Sequence, residues 1–125
     1  MSTLKVDTLQ TTSGDVIYPA RVWVNLDGTG TVAIRADGNV SSITDNGSGQ
    51  YQANFSVNTI DGNYAAMSNM KAMAGSGNAQ NSCLIEYDTL SSVSVSMQTS
   101  SVRVNCIAND YTLADSIYVG INIVR

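Results

Sequence analysis

Between Ala20 and Val57 the chain reads ARVWVNL-DGTG-TVAIRAD-GN-VSSITD-NGSG-QYQANFSV, four runs that alternate apolar and polar residues, separated by three turns built from Gly, Asp and Asn. Alternation with a period of two places the apolar residues of each run on one face of a strand. Asp-Gly, Gly-Asn and Asn-Gly between such runs supply the left-handed backbone and side-chain acceptors that tight hairpins need. The stretch therefore predicts an antiparallel meander, and a fold for the whole chain must accommodate it. Val22, Val24, Val32, Ile34, Tyr51 and Phe55 form the predicted inward row. Ser41-Ser42 interrupts the third run and predicts a bulge. Trp23 falls on the face opposite the aliphatic row of its own strand, where a second surface is expected to meet it.

The same pattern continues downstream. Cys83, Ile85 and Tyr87 alternate, as do Val93, Val95 and Met97, then Val102, Val104, Cys106 and Ala108, and finally Ile117, Val119, Ile121 and Ile123. Tyr64 to Met73 is less regular. Met67, Met70 and Met73 recur every third residue, but Gly and Asn surround them and no cap is present, so a strand is expected. In all, about nine short strands at hairpin spacing and no helix predict an all-β antiparallel sandwich, jelly-roll-like, over residues 20–125. Residues 1–19 read as an extended N-terminal arm. Its large apolar residues, Leu4, Val6 and Leu9, are too few to bury alone, so contact with another copy of the chain or with the structure that carries it is expected.

Composition excludes several classes of function. A net charge of −4 with six scattered basic residues makes nucleic acid an improbable partner. No apolar run has the length of a membrane span, and the N-terminus lacks the charged and apolar regions of a signal peptide; synthesis in a cytosol is expected. There is no histidine, which removes the commonest general base and zinc ligand. Cys83 and Cys106 lack metal-ligand spacing and are expected to be reduced and buried, with a bridge between neighbouring strands as the alternative. Asp27, Asp37, Asp45, Asp61, Asp88 and Asp110 all sit at turns, where carboxylates satisfy backbone amides. Paired glycosidase carboxylates and calcium loops fit that placement less well. No catalytic residue, metal or cofactor is assigned. For recognition, aromatic rings beside amides suit sugars. Trp23, Tyr51, Tyr87, Tyr111 and Tyr118 are the aromatic candidates. Tyr51 is expected in the core, and Tyr111, in a loop, is the best exposed one. Asn78, Gln80 and Asn81 offer amides from the longest polar loop.

Three segments together, STLKVDTLQTTSG, GTGTVAIRADGNVSSITDNGSGQYQANFS and DSIYVGINIVR, resemble a recurrent domain of bacteriophage tail-fibre and related virion surface proteins, the fibre-tip or knob type. The Tyr64-Ala65 pair after a turn and the Val124-Arg125 ending are similar to that domain as well. The resemblance implies a non-enzymatic structural protein of the virion, made in the host cytoplasm, homotrimeric, held to other virion proteins by its arm and engaged in host attachment. A host surface glycan or protein is the implied partner, with Asn78, Gln80, Asn81 and Tyr111 as receptor-binding candidates. Leu4, Val6, Leu9, Trp23 and Met70 are the candidates for the oligomer interface. A capsid decoration or head-fibre protein with a purely structural role is the alternative.

Overall fold

The computed structural model describes residues 2–3, 5–16, 19–71, 82–85, 97–108 and 111–125. Among them are eight strands and no helix. They are β1 (Ala20–Asp27), β2 (Ala33–Gly38), β3 (Val40–Gly47), β4 (Gln50–Phe55), β5 (Ala65–Met70), β6 (Ser82–Ile85), β7 (Ser101–Ile107) and β8 (Val119–Val124). Two four-stranded antiparallel sheets, ordered β2-β1-β8-β5 and β3-β4-β7-β6, face each other as a sandwich. The hairpins β1–β2 and β3–β4 stay within a sheet, β6 pairs antiparallel with β7, and β2 and β3, β4 and β5, β5 and β6, and β7 and β8 lie in different sheets. The run Val93–Val95, expected as a further strand, lies outside the described residues. Met97 beside it forms an isolated bridge to Val102.

Burial follows the sheet order. The central strands supply the fully enclosed side chains: Val22, Val24 and Leu26 from β1, Val119, Ile121 and Ile123 from β8, Tyr51 and Ala53 from β4, and Val102, Val104 and Cys106 from β7. Each aliphatic side chain so buried stabilises the fold by roughly 1.5–3 kcal/mol relative to exposure. Edge strands contribute half-buried neighbours, among them Ile34, Ile43, Ala66, Met70 and Ile85. Ala20, at the start of β1, is exposed, because its strand begins beyond the edge of the core. The predicted bulge at Ser41-Ser42 is present as a register shift between Val40 and Ser42.

Three positions depart from the alternation. Val57 is exposed, because β4 ends at Phe55 and the chain turns away. Ile117 is exposed as well. β8 begins at Val119, and the buried position before it belongs to Ser116, whose hydroxyl donates to the carbonyls of Lys71 and Tyr118. A polar group inside a core is tolerated when it is bonded in this way. Met67 and Met70 lie on opposite faces of β5, since three residues along a strand reverse the side. Met67 and Met70 therefore make no common surface, and Met73 lies outside the described residues.

Polar anchors tie the two layers together. The Tyr51 hydroxyl lies 2.8 Å from Asp115 Oδ1 and 3.1 Å from the Gly28 carbonyl, and the Gly49 amide donates to the same Asp115 oxygen at 2.8 Å. Burial, with the Asp115 carboxylate alongside, pushes the Tyr51 phenol far above its usual range. Tyr64 donates to the carbonyls of Gln98 and Ser101, and burial pushes its phenol up to about 12. At the corner where β2 hands over to β3, Asn39 adopts φ 62°. Its side-chain amide exchanges two hydrogen bonds with the backbone of Val57, at 2.7 and 2.9 Å. Asparagine is the non-glycine residue best suited to that left-handed corner.

The arm's described residues from 2 to 16 are exposed throughout. Its Thr11–Asp15 turn is closed by backbone bonds, with a single bridge between Gln10 and Val16. Val6, Leu9 and Val16 are all exposed.

Candidate functional site

The two outer faces of the sandwich differ in how they treat their amides. On the β3-β4-β7-β6 sheet, Arg103 donates to Gln52 at 2.7 Å, Gln52 to Asn54 at 2.7 Å, and Asn54 to the hydroxyls of Ser42 and Thr44 at 3.0 and 2.9 Å. That ladder closes the face on itself, leaving Asn105 Oδ1 as its buried unpaired oxygen among the described residues.

On the other sheet no such ladder forms. Antiparallel register aligns Asn25, Gly120 and Asn69 in one row across β1, β8 and β5, and Trp23, Asn122 and Met67 in the next. Asn25, Asn69 and Asn122 make no side-chain hydrogen bond among the described residues, and the Oδ1 atoms of Asn25 and Asn122 are covered from solvent. A covered, unpaired carbonyl oxygen costs about 1–3 kcal/mol.

Glycine shapes this surface at two points. Trp23 lies across Gly38 on the neighbouring strand, with its indole nitrogen where a Cβ would stand. Asn69 leans over Gly120, its amide oxygen likewise occupying the place of the missing side chain. A groove of about 640 Å³ results, walled by Trp23 and Met67, floored by Asn25, Gly120 and Asn122, and reaching Tyr118 at one end. The Trp23 side remains 42% exposed. Arg35 and Lys71 stack on the Tyr118 ring at 4.5 and 5.2 Å from its centre, and Arg35 also binds Asp27 at 2.7 Å and the Ile117 carbonyl at 3.0 Å. The groove lining contains no carboxylate. A smaller recess of about 350 Å³ lies where β1 begins and β8 ends, lined by Arg21, Asn39, Val57, Ile60 and Arg125 among others.

The residues singled out from sequence fall in different places. Trp23 faces outward in the groove, as its strand position implied. Val6 and Leu9 are exposed on the arm, and Leu4 lies outside the described residues. Met70 is half-buried: its side chain turns inward and packs against the core, because β5 alternates and Met70 shares the inner face with Ala66 and Ser68. Of the receptor-binding candidates, Asn78, Gln80 and Asn81 lie outside the described residues. Tyr111 is 89% exposed with φ 65° and is not among the groove's lining. Asn25, Asn69, Gly120 and Asn122 were not singled out from sequence. Each occupies an outward position on an alternating strand, but only the pairing of β5 and β1 with β8 brings them together.

Four turn carboxylates are engaged locally, whereas Asp37 makes no side-chain hydrogen bond among the described residues and Asp88 and Asp110 lie outside them. Asp27 accepts from the Thr29 amide and hydroxyl, Asp45 from the Gly47 amide, Asp61 from the Asn63 amide, and Asp15 from Ser13. The Thr29 donors, with Arg35 nearby, hold the Asp27 carboxyl below the usual range. The Asn63 amide, then Arg125, do the same for Asp61. Among the described residues no three His, Cys, Asp or Glu side chains gather as a metal site. Cys83 and Cys106 sit opposite each other on β6 and β7, unbridged and buried, with their sulfurs 3.0 Å apart. The hydrogen bond to Cys83, then burial, pushes the Cys106 thiol far up. Compared with family models, with curated proteins and with solved structures, the chain finds no match in any of the three.

Proposed function

We propose that this chain is a non-enzymatic recognition module on the surface of a bacteriophage virion, a homotrimeric fibre-tip or knob that engages the host surface and is held to the particle by its arm. The observation that carries the reading is the outer face of the β2-β1-β8-β5 sheet, which presents an aromatic ring and three amides without partners, while the opposite face bonds Gln52 and Asn54 into a ladder and leaves one amide, Asn105, with an unpaired oxygen. A surface that neither closes on itself nor carries a reacting group is suited to binding. Engagement of Asp15, Asp27, Asp45 and Asp61 by their own loops supports the non-enzymatic part. The arm supports attachment to a larger body, since Val6, Leu9 and Val16 leave about half of their surface exposed.

The test is location and loss. Immunogold labelling is expected at the tail, and particles lacking the chain are expected to adsorb poorly to host cells. Label at icosahedral positions on the head, with wild-type adsorption of the deletion particle, would replace host attachment by capsid decoration. Release of reducing sugar from host polysaccharide by the purified protein would defeat the non-enzymatic reading.

A further inference from the structure

We propose that the groove over Gly120 is a binding site for a neutral saccharide. The inference deepens the attachment reading and rests on it for its biological meaning, but binding itself is a property of the isolated chain. A sugar ring presents an apolar C–H face and a rim of hydroxyls that each donate and accept. The groove offers the complement. Trp23 gives an indole face held flat by its seat on Gly38, and aromatic faces stack on C–H surfaces. Asn69 gives an amide N–H and C=O with no partner of their own, and Asn25 and Asn122 give N–H donors, their carbonyl oxygens being covered. Adjacent hydroxyls on a sugar match the paired N–H and C=O of a side-chain amide.

Charge selects against other small ligands. The lining has no carboxylate to hold a cation, and its cation, Lys71, is turned to the Tyr118 ring. Size agrees too: about 640 Å³ lies within the range of small-molecule sites and admits more than one sugar unit. A second copy of the chain fits less well. The cores of protein interfaces are depleted in polar groups that lack partners, and three free amides around a dip at Gly120 would each need a matching group from the facing chain.

Trp23 is the only tryptophan, so its fluorescence reports on the groove directly. The full chain is titrated with methyl α-mannopyranoside, methyl β-galactopyranoside, N-acetylglucosamine and maltotriose, with N-acetylneuraminic acid as the charged comparator. At least one neutral sugar is expected to shift the emission and shield Trp23 from acrylamide, with millimolar affinity. Asn69→Ala and Asn122→Ala are each expected to weaken that binding by about tenfold, whereas Asn54→Ala on the opposite face leaves it unchanged. Because both asparagines are on the outer surface, native near-ultraviolet circular dichroism is expected in each variant.

Three results would overturn the proposal: silence with every neutral sugar, preference for the charged comparator, or Trp23 already shielded in the unliganded protein and exposed on dissociation to monomers. The last would assign the groove to a second copy. A silent titration with defective adsorption of the deletion particle removes the groove and spares the attachment reading. A positive titration with wild-type adsorption does the reverse.

Discussion

At the scale of single residues, the most constrained position is Gly49. It combines φ 68° with backbone on both sides: a Cβ there would lie 2.6 Å from the Ala114 nitrogen and 2.6 Å from the Cys106 carbonyl. Neither is a flexible side chain, so the loop before β8 and strand β7 would have to separate. Gly49→Ala is expected to lower stability by about 3 kcal/mol, read as a shift in the urea midpoint, and Gly30→Ala, equally left-handed but in open space, by about 1 kcal/mol. A second expectation concerns acid. Asp27 and Asp61 titrate lower in the fold than in the unfolded chain, so between the two values the unfolded chain binds more protons. The stability they add is complete above the unfolded value, about 4, and is lost as pH falls through the folded one. Thermal midpoints are expected to stay level from neutrality to about pH 5 and then fall, with a shallower acid limb in the Asp27→Asn, Asp61→Asn double variant. Tyr64 works in the opposite direction at high pH. Its folded value near 12 exceeds the unfolded value of about 10, so its contribution is whole below about 10 and fades above it.

At the scale of the elements, what could be read from the sequence was whatever local pattern decides. Val22, Val24 and Leu26, or Tyr51, Ala53 and Phe55, alternate within a single strand and are bounded by turn residues, and their burial follows from those facts alone. The exceptions arise where the strand stops being a strand. Ile117 extends the apolar row of β8 on paper, but the chain bends before Val119, and Ser116 takes the inner position with two carbonyls to bond. Ile117→Ser is accordingly expected to change stability by no more than about 0.5 kcal/mol, whereas Ile121→Ala, one turn of alternation into the core, costs about 2–4 kcal/mol. Chemical denaturation of the two variants separates a pattern that merely continues from one that is buried. The groove was illegible for a different reason. Asn25, Asn69 and Asn122 are ordinary outward residues in their own strands. Their meeting depends on β5, β1 and β8 being neighbours, and those strands are widely separated along the chain. Sheet order of this kind is set by long-range packing, which leaves no mark on local periodicity.

At the scale of the whole molecule, the division between arm and sandwich decides how the chain works as a unit. The sandwich has its own core and a face that ties Arg103, Gln52 and Asn54 into a ladder. The arm has a turn, one bridge and three exposed apolar side chains. If assembly runs through the arm, then folding and oligomerisation separate, because the apolar surface that demands a partner is not the surface that holds the sheets together. Removing residues 1–18 is expected to leave the near-ultraviolet circular dichroism native and the unfolding free energy within about 1 kcal/mol of the full chain after allowance for mass action. Light scattering at micromolar concentration is expected to change from a trimer to a monomer. A full chain that is already a stable monomer would sink the trimer, and loss of the folded signal on truncation would place the arm inside the cooperative unit. The groove supplies a control within the same experiment. Its rows are built entirely from β1, β8 and β5, so the truncated monomer should retain Trp23 emission and its response to sugar unchanged. A groove that fails together with the trimer would mean that the arm, or a neighbouring copy, completes it.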